Sequence, residues 1–140
     1  MNKTRSKVMT IANSLVKQGL TRSMATLKAW VIVKANALRT KVKGTSRRQD
    51  TLEKLAWINP ADISVKLKRE PHNAYDSNAV AVYAALKDNR VFFIGYLPKA
   101  VASVLAPLMD NDNKPHTKEF RVTGGFNPWV YYGAALDIAV

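Results

Sequence analysis

At 140 residues, with 47% hydrophobic and 9% aromatic content, the chain suffices for one compact domain with an appendage and is too short for two independent cores. The absence of cysteine excludes disulfide frameworks, thiolate metal sites and thiol nucleophiles, and two histidines argue against a dedicated zinc site. The net charge of +12 is uneven: residues 1–49 hold twelve Lys or Arg and no acid, while residues 50–140 hold ten of each sign, so the N-terminal third is a segment that seeks a polyanion.

In chain order, residues 6–20 read as a helix from Val8, Ile11, Ala12, Leu15 and Val16 at helical spacing, broken by Gly19. Thr21 or Ser23 can cap a second helix in which Met24, Leu27, Val31, Ala35 and Leu38 form an apolar stripe opposite Arg22, Lys28 and Lys34, ending before Gly44. Residues 41–49, with Gly44 and the Arg47-Arg48 pair, lack apolar periodicity and read as a connection. A strand is expected over 52–58, ended by Asn59-Pro60. A clearer one covers 63–70, where Ile63, Val65 and Leu67 alternate with Ser64, Lys66 and Lys68. Residues 79–85 and 91–97 read as a hairpin about Lys87-Asp88-Asn89. Pro98 opens a short helix carrying Val101, Ala102, Leu105, Leu108 and Met109, and residues 120–126 and 133–140 supply two closing strands. The expected architecture is α+β: a small six-stranded antiparallel barrel with one internal helix over 49–140, preceded by two basic helices over 1–48.

Between Leu67 and Lys99 stand Arg69-Glu70-Pro71, Asn73, Tyr75-Asp76, Asn78-Ala79 and Gly95-Tyr96-Leu97-Pro98-Lys99. In this order and spacing the segment resembles the HIRAN family, whose fold is an OB-like barrel. HIRAN domains of fork-remodelling helicase-like proteins capture 3′ ends of single-stranded DNA, and the resemblance implies the same here. The family's Tyr-Asp pair falls on Tyr75 and Asp76, the residue after the strand-exit glycine on Tyr96, and a further hairpin aromatic on Tyr132. The family's arginine-aromatic pair in the first strand has no certain counterpart, although Trp57 is a candidate for the aromatic. No helicase motif is present, so a motor or nuclease would be a separate chain.

The residues support two readings of this loop. Pro71 halts a strand and Asp76 can bond amides two residues on, so the segment can be a purely structural turn. Displayed outward, Tyr75 instead offers a face for stacking a base, and Asp76 an acceptor for a free 3′ hydroxyl, a donor that an internal phosphodiester lacks. Tyr96 shares a face with Phe92 and Ile94 by simple alternation and is either core or ligand contact; the cluster Trp129, Tyr131 and Tyr132 either closes a core or lends one ring to a ligand. Lys66, Lys68, Arg69 and Lys99 are solvated cations or phosphate contacts, and Asn73 belongs to the loop.

His72 near Asp76 has no nucleophile, metal cluster or carboxylate pair beside it, so the expectation is a binding protein without catalytic residues, metal or cofactor. The partner expected is single-stranded DNA or its 3′ ends, in repair, replication or mobile-element biology. The alternative is a phage-type interaction or inhibitor protein using the barrel as scaffold. The basic helices suit DNA-backbone binding first; against a membrane-surface helix or an organelle transit peptide stand their length and the Trp30-Val31-Ile32-Val33 block, which point to a packed helix, and a partner-binding helix pair that docks through its apolar stripe is the third reading. No apolar run approaches the roughly 18 residues that span a bilayer and no secretory signal is visible, so no membrane partner is expected. The expected compartment is the cytoplasm of a bacterial or phage-infected cell, or a eukaryotic nucleus.

Overall fold

A computed structural model describes residues 3–36, 38–111, 114–127 and 129–140. Its elements are α1 (Lys3–Lys17), α2 (Arg22–Ala35), β1 (Leu38–Lys41), α3 (Gln49–Ala56), β2 (Ile63–Arg69), β3 (Val80–Leu86), β4 (Val91–Tyr96), α4 (Lys99–Asp110), β5 (His116–Thr123) and β6 (Gly133–Ala139). The strands form two three-stranded sheets, β1-β6-β5 and β2-β3-β4, with every neighbour antiparallel.

These sheets meet without closing. At one edge Lys43 exchanges both backbone bonds with Tyr96, at 2.7 and 2.9 Å. At the other, β2 and β5 run alongside each other with no ladder between them, leaving an open groove lined by Pro60, Ile63, Val65 and Phe120. The closed barrel expected from sequence is therefore corrected to two sheets over a shared core, and the described residues form four α-helices rather than three.

Two elements differ from the expected ones. Of residues 52–58, expected as a strand, 52–56 are the later part of α3 and Trp57 caps it, because Leu52 and Leu55 are buried three residues apart while Glu53 and Lys54 are exposed, a helical period. The second helix stops at Ala35, where Asn36 adopts a left-handed cap at φ 50°, so Leu38 opens β1 instead of ending the stripe. Residues 38–43, N-terminal to the expected 48/49 boundary, thereby pair with β6 and β4.

The apolar stripe of α1 is buried at Val8, Ile11, Ala12 and Leu15, and the helix packs on α4, whose Ala102, Leu105 and Leu108 are also buried. Helix α2 is capped by Thr21, whose hydroxyl accepts from the Met24 amide. It turns Ala25, Ala29 and Ile32 inward, so the expected stripe of Met24, Leu27 and Val31 is the exposed face. The small side chains of Ala25 and Ala29 allow close approach to α1, which decides the rotation of the helix. Among the described residues no helix is long and apolar enough to cross a membrane.

Candidate nucleic-acid interface

The segment from β2 to β3 is fixed mainly by its own short polar side chains. Asn73 Oδ1 accepts from the amides of Tyr75 (2.9 Å) and Asp76 (3.2 Å), while its Nδ2 donates to Glu70 Oε1 (3.0 Å). Asp76 Oδ1 accepts from the Asn78 amide (2.9 Å), the Asx-turn expected from sequence. Backbone bonds from Glu70 to Ala79, Asn73 to Glu70 and Ala79 to Asp76 close the base of the loop. Arg69 ties the loop to α4: its guanidinium makes a two-pronged pair with Asp110 (3.1 and 3.2 Å) and donates to the Ser77 carbonyl (2.6 Å). Its side chain, only 16% exposed, acts here as a brace.

On this frame Tyr75 is 98% exposed, so the loop holds the backbone of a ring that packs on nothing. Tyr96 donates its hydroxyl to Glu70 Oε1 (3.0 Å), the same oxygen that receives Asn73, which links the strand exit to the loop. Burial first, and then the hydrogen bond and charge of Glu70, hold the Tyr96 phenol above its ordinary value, so it stays neutral and a donor through physiological pH.

Tyr96 does not share a face with Phe92 and Ile94. Tyr83 pairs with Phe93 and Val82 with Gly95, which leaves Ile94 as an extra residue and flips the alternation. Tyr96 thus joins Phe93 on the outer face, edge-on at 5.3 Å, and Phe93 contacts Tyr83 at 5.4 Å. Gly95 lets the Lys43 backbone close in beside the bulge, because a Cβ there would collide with the Lys43 carbonyl.

The same outer face carries Lys66, directly across from Tyr83, with Lys68 two residues on; both are exposed. Arg48 lies over the Phe93 ring at 4.9 Å. Loop, aromatic row and three cations form one continuous surface.

The remaining expected residues are placed elsewhere. Lys99 opens α4 and lines a cleft with Lys17, Gln18 and Asn78, touching the far end of the loop. Tyr132 is half-buried; its backbone exchanges two bonds with the Gln49 side chain (2.9 and 2.8 Å) and its ring covers Gly125. Trp129 and Tyr131 are exposed and close no core, and the cavity that Tyr131 and Tyr132 line also holds Asp50 and Glu53, a surface unlike a phosphate track. Trp57 is exposed at the end of α3, with no ring contact or hydrogen bond to the loop among the described residues.

Sequence reasoning missed Tyr83, Phe93, Arg48 and Glu70. Gly95 inside a strand pattern was the available signal for the bulge, and the alternation of Val91 and Phe93 against Phe92 and Ile94 marked the outer face. Nothing local in sequence signals that Arg48 reaches Phe93.

The family model described as "HIRAN domain" matches residues 35–126. Among solved structures, the HIRAN domain of human HLTF is 28% identical, over 73% of this chain and 74% of that one, with a TM-score of 0.45. A protein from Lactobacillus plantarum is 20% identical, over 74% of this chain and 95% of that one, at 0.42. No curated protein matches. With two thirds of its length matched by that model, the chain belongs to the HIRAN domain family.

Proposed function

We propose that this chain is a non-enzymatic DNA-binding protein that takes up the 3′ end of a single strand at residues 73–78 and leads the strand over the outer face of β2-β3-β4, in DNA repair, replication or mobile-element biology. The supporting observation is Tyr75: a fully exposed ring on a loop whose backbone is fixed by Asn73, Asp76 and Arg69. A purely structural turn has no use for an aromatic that contacts nothing, whereas a stacking platform needs that display, with the backbone part of its ordering cost already met. Membership of the HIRAN family points the same way.

The chemistry divides among the residues. Tyr75 stacks the terminal base. Asp76 has one carboxylate oxygen committed to Asn78 and the other without a partner among the described residues, so it accepts from a terminal hydroxyl. Lys66, Lys68 and Arg48 neutralise backbone phosphates, and Tyr83, Phe93 and Tyr96 support following bases. Arg69 and Asn73 position rather than touch. A helicase or nuclease on a separate chain would supply any catalysis.

The test is a titration of oligonucleotides ending in 3′ hydroxyl or 3′ phosphate at several salt concentrations. The hydroxyl form should bind more tightly, because a phosphate beside Asp76 is repelled. Tyr75→Ala should weaken binding by about 1–3 kcal/mol, and Asp76→Ala should erase the preference. Equal binding of both ends, unchanged in the two variants, contradicts end capture and leaves backbone affinity; no binding to any strand contradicts the whole proposal.

A further inference from the structure

Helix α2 contains a surface that the loop site does not use. Met24, Leu27 and Val31, spaced i, i+3 and i+7, share its outward face at 59%, 62% and 66% exposure. The opposite face, Ala25, Ala29 and Ile32, packs on α1, which is the principal neighbour of α2 among helices and strands. Three large apolar side chains in a row are not needed to hold α2 in place, since its own docking is complete without them. Such a contiguous wet stripe marks a contact surface.

The charge around the stripe selects the occupant. Lys28 and Lys34 fall on either side of it in the helical projection, and residues 1–49 contain no acid. A second copy of this chain would set Lys28 and Lys34 against their own kind with nothing near to neutralise them. A DNA backbone would satisfy the lysines and leave the thioether and branched alkyl groups unmatched. A membrane-surface helix presents a broad apolar face with aromatic anchors, but this stripe holds three residues and no aromatic, and Trp30 lies off it and packs against the core. An amphipathic partner helix whose apolar ridge is bordered by Asp and Glu matches both features at once.

We propose that the outer face of α2, formed by Met24, Leu27 and Val31 between Lys28 and Lys34, is a docking site for an acidic amphipathic helix of a partner protein. The partner's apolar side chains pack along about two turns of α2, and its carboxylates pair with the flanking lysines. The surface lies apart from residues 73–78, so occupation of one site and failure of the other are measured separately.

The test uses the full chain and a fluorescein-labelled four-turn synthetic helix with leucines at i, i+3 and i+7 bordered by glutamates. Controls are a scrambled peptide of the same composition and one with lysine for glutamate. The acidic helix should bind, the controls should not, and Leu27→Ser with Val31→Ser should weaken binding at least about tenfold. Lys28→Gln with Lys34→Gln should weaken it less, by about threefold, with reduced salt sensitivity. Both double variants change exposed side chains, so circular dichroism and the ratio of 3′-hydroxyl to 3′-phosphate oligonucleotide binding should match the parent. Equal binding of the scrambled peptide, or indifference to Leu27 and Val31, overturns the proposal. So does self-association lost in Leu27→Ser with Val31→Ser, which assigns the face to a second copy. Uptake by phosphatidylglycerol vesicles that depends on Leu27 and Val31, with no peptide binding, assigns it to lipid and overturns the proposal equally.

Discussion

Asn73 is the residue on which the loop depends most. Its one side chain bonds two amides and, through Glu70, reaches Tyr96, so its loss releases Tyr75 without touching the ring. Asn73→Ala should cost about 1–2 kcal/mol of stability and weaken oligonucleotide binding as Tyr75→Ala does. The Asn73→Ala and Tyr75→Ala double variant should be little worse than either single one in the same titration, because both remove one displayed ring. Tyr96 adds a pH signature. A phenol raised in the folded state favours folding fully below its ordinary value near 10, and that contribution is lost as pH rises through the folded value. Absorbance titration should show one tyrosine ionising late, and Tyr96→Phe should remove that step; an unchanged profile contradicts the assignment. At this scale the sequence was informative: Asn73, Tyr75, Asp76 and Asn78 act within a few residues of one another, so their turn chemistry is written locally. The role of Arg69 was not legible, since its partner Asp110 lies on another element.

Among elements, β4 carries the most consequence. Its bulge at Ile94-Gly95 turns Tyr96 to the outer face and admits Lys43 at the edge where the two sheets meet. Gly95→Ala should therefore destabilise by roughly 3 kcal/mol, as forced overpacking does, and should disturb the position of Tyr96; urea unfolding measures the first and loss of 3′-end preference the second. A stable Gly95→Ala protein contradicts the close approach. Strand β2 was legible from alternation because the period of two survives along its length, and β3 from its continuous apolar, β-rich run ahead of the Lys87-Asp88-Asn89 turn. Helix α3 was not: it spans only eight residues, and Trp57 and Ile58 just beyond its end prolong the apolar run as a strand would, masking the three-residue spacing of Leu52 and Leu55. Strand β1 was hidden because Leu38 extends the apolar stripe of α2, and its strand state comes from pairing with β6, about a hundred residues away in sequence.

Over the whole molecule, charge and site are only partly separate. The N-terminal third carries the net charge, yet Arg48 from its last residues lies over Phe93 on the same face as Lys66 and Lys68. Lys66→Gln with Lys68→Gln should lower the magnitude of the salt slope by about 1.4 if both meet phosphates of a single strand. Lys17→Gln, Lys28→Gln and Lys34→Gln together should reduce general affinity while leaving the ratio of 3′-hydroxyl to 3′-phosphate binding unchanged. Filter binding across salt concentrations checks both. The segregation of charge was legible from composition alone, whereas the open two-sheet arrangement was not, because an unladdered edge between β2 and β5 has no signature in either strand. End capture is tested most directly by comparing one single-stranded sequence in linear and covalently circular form. Linear strands should bind at least about tenfold more tightly, a gap of roughly 1.4 kcal/mol, and Tyr75→Ala with Asp76→Ala should abolish the difference; equal affinity of circle and line in the parent protein would contradict it.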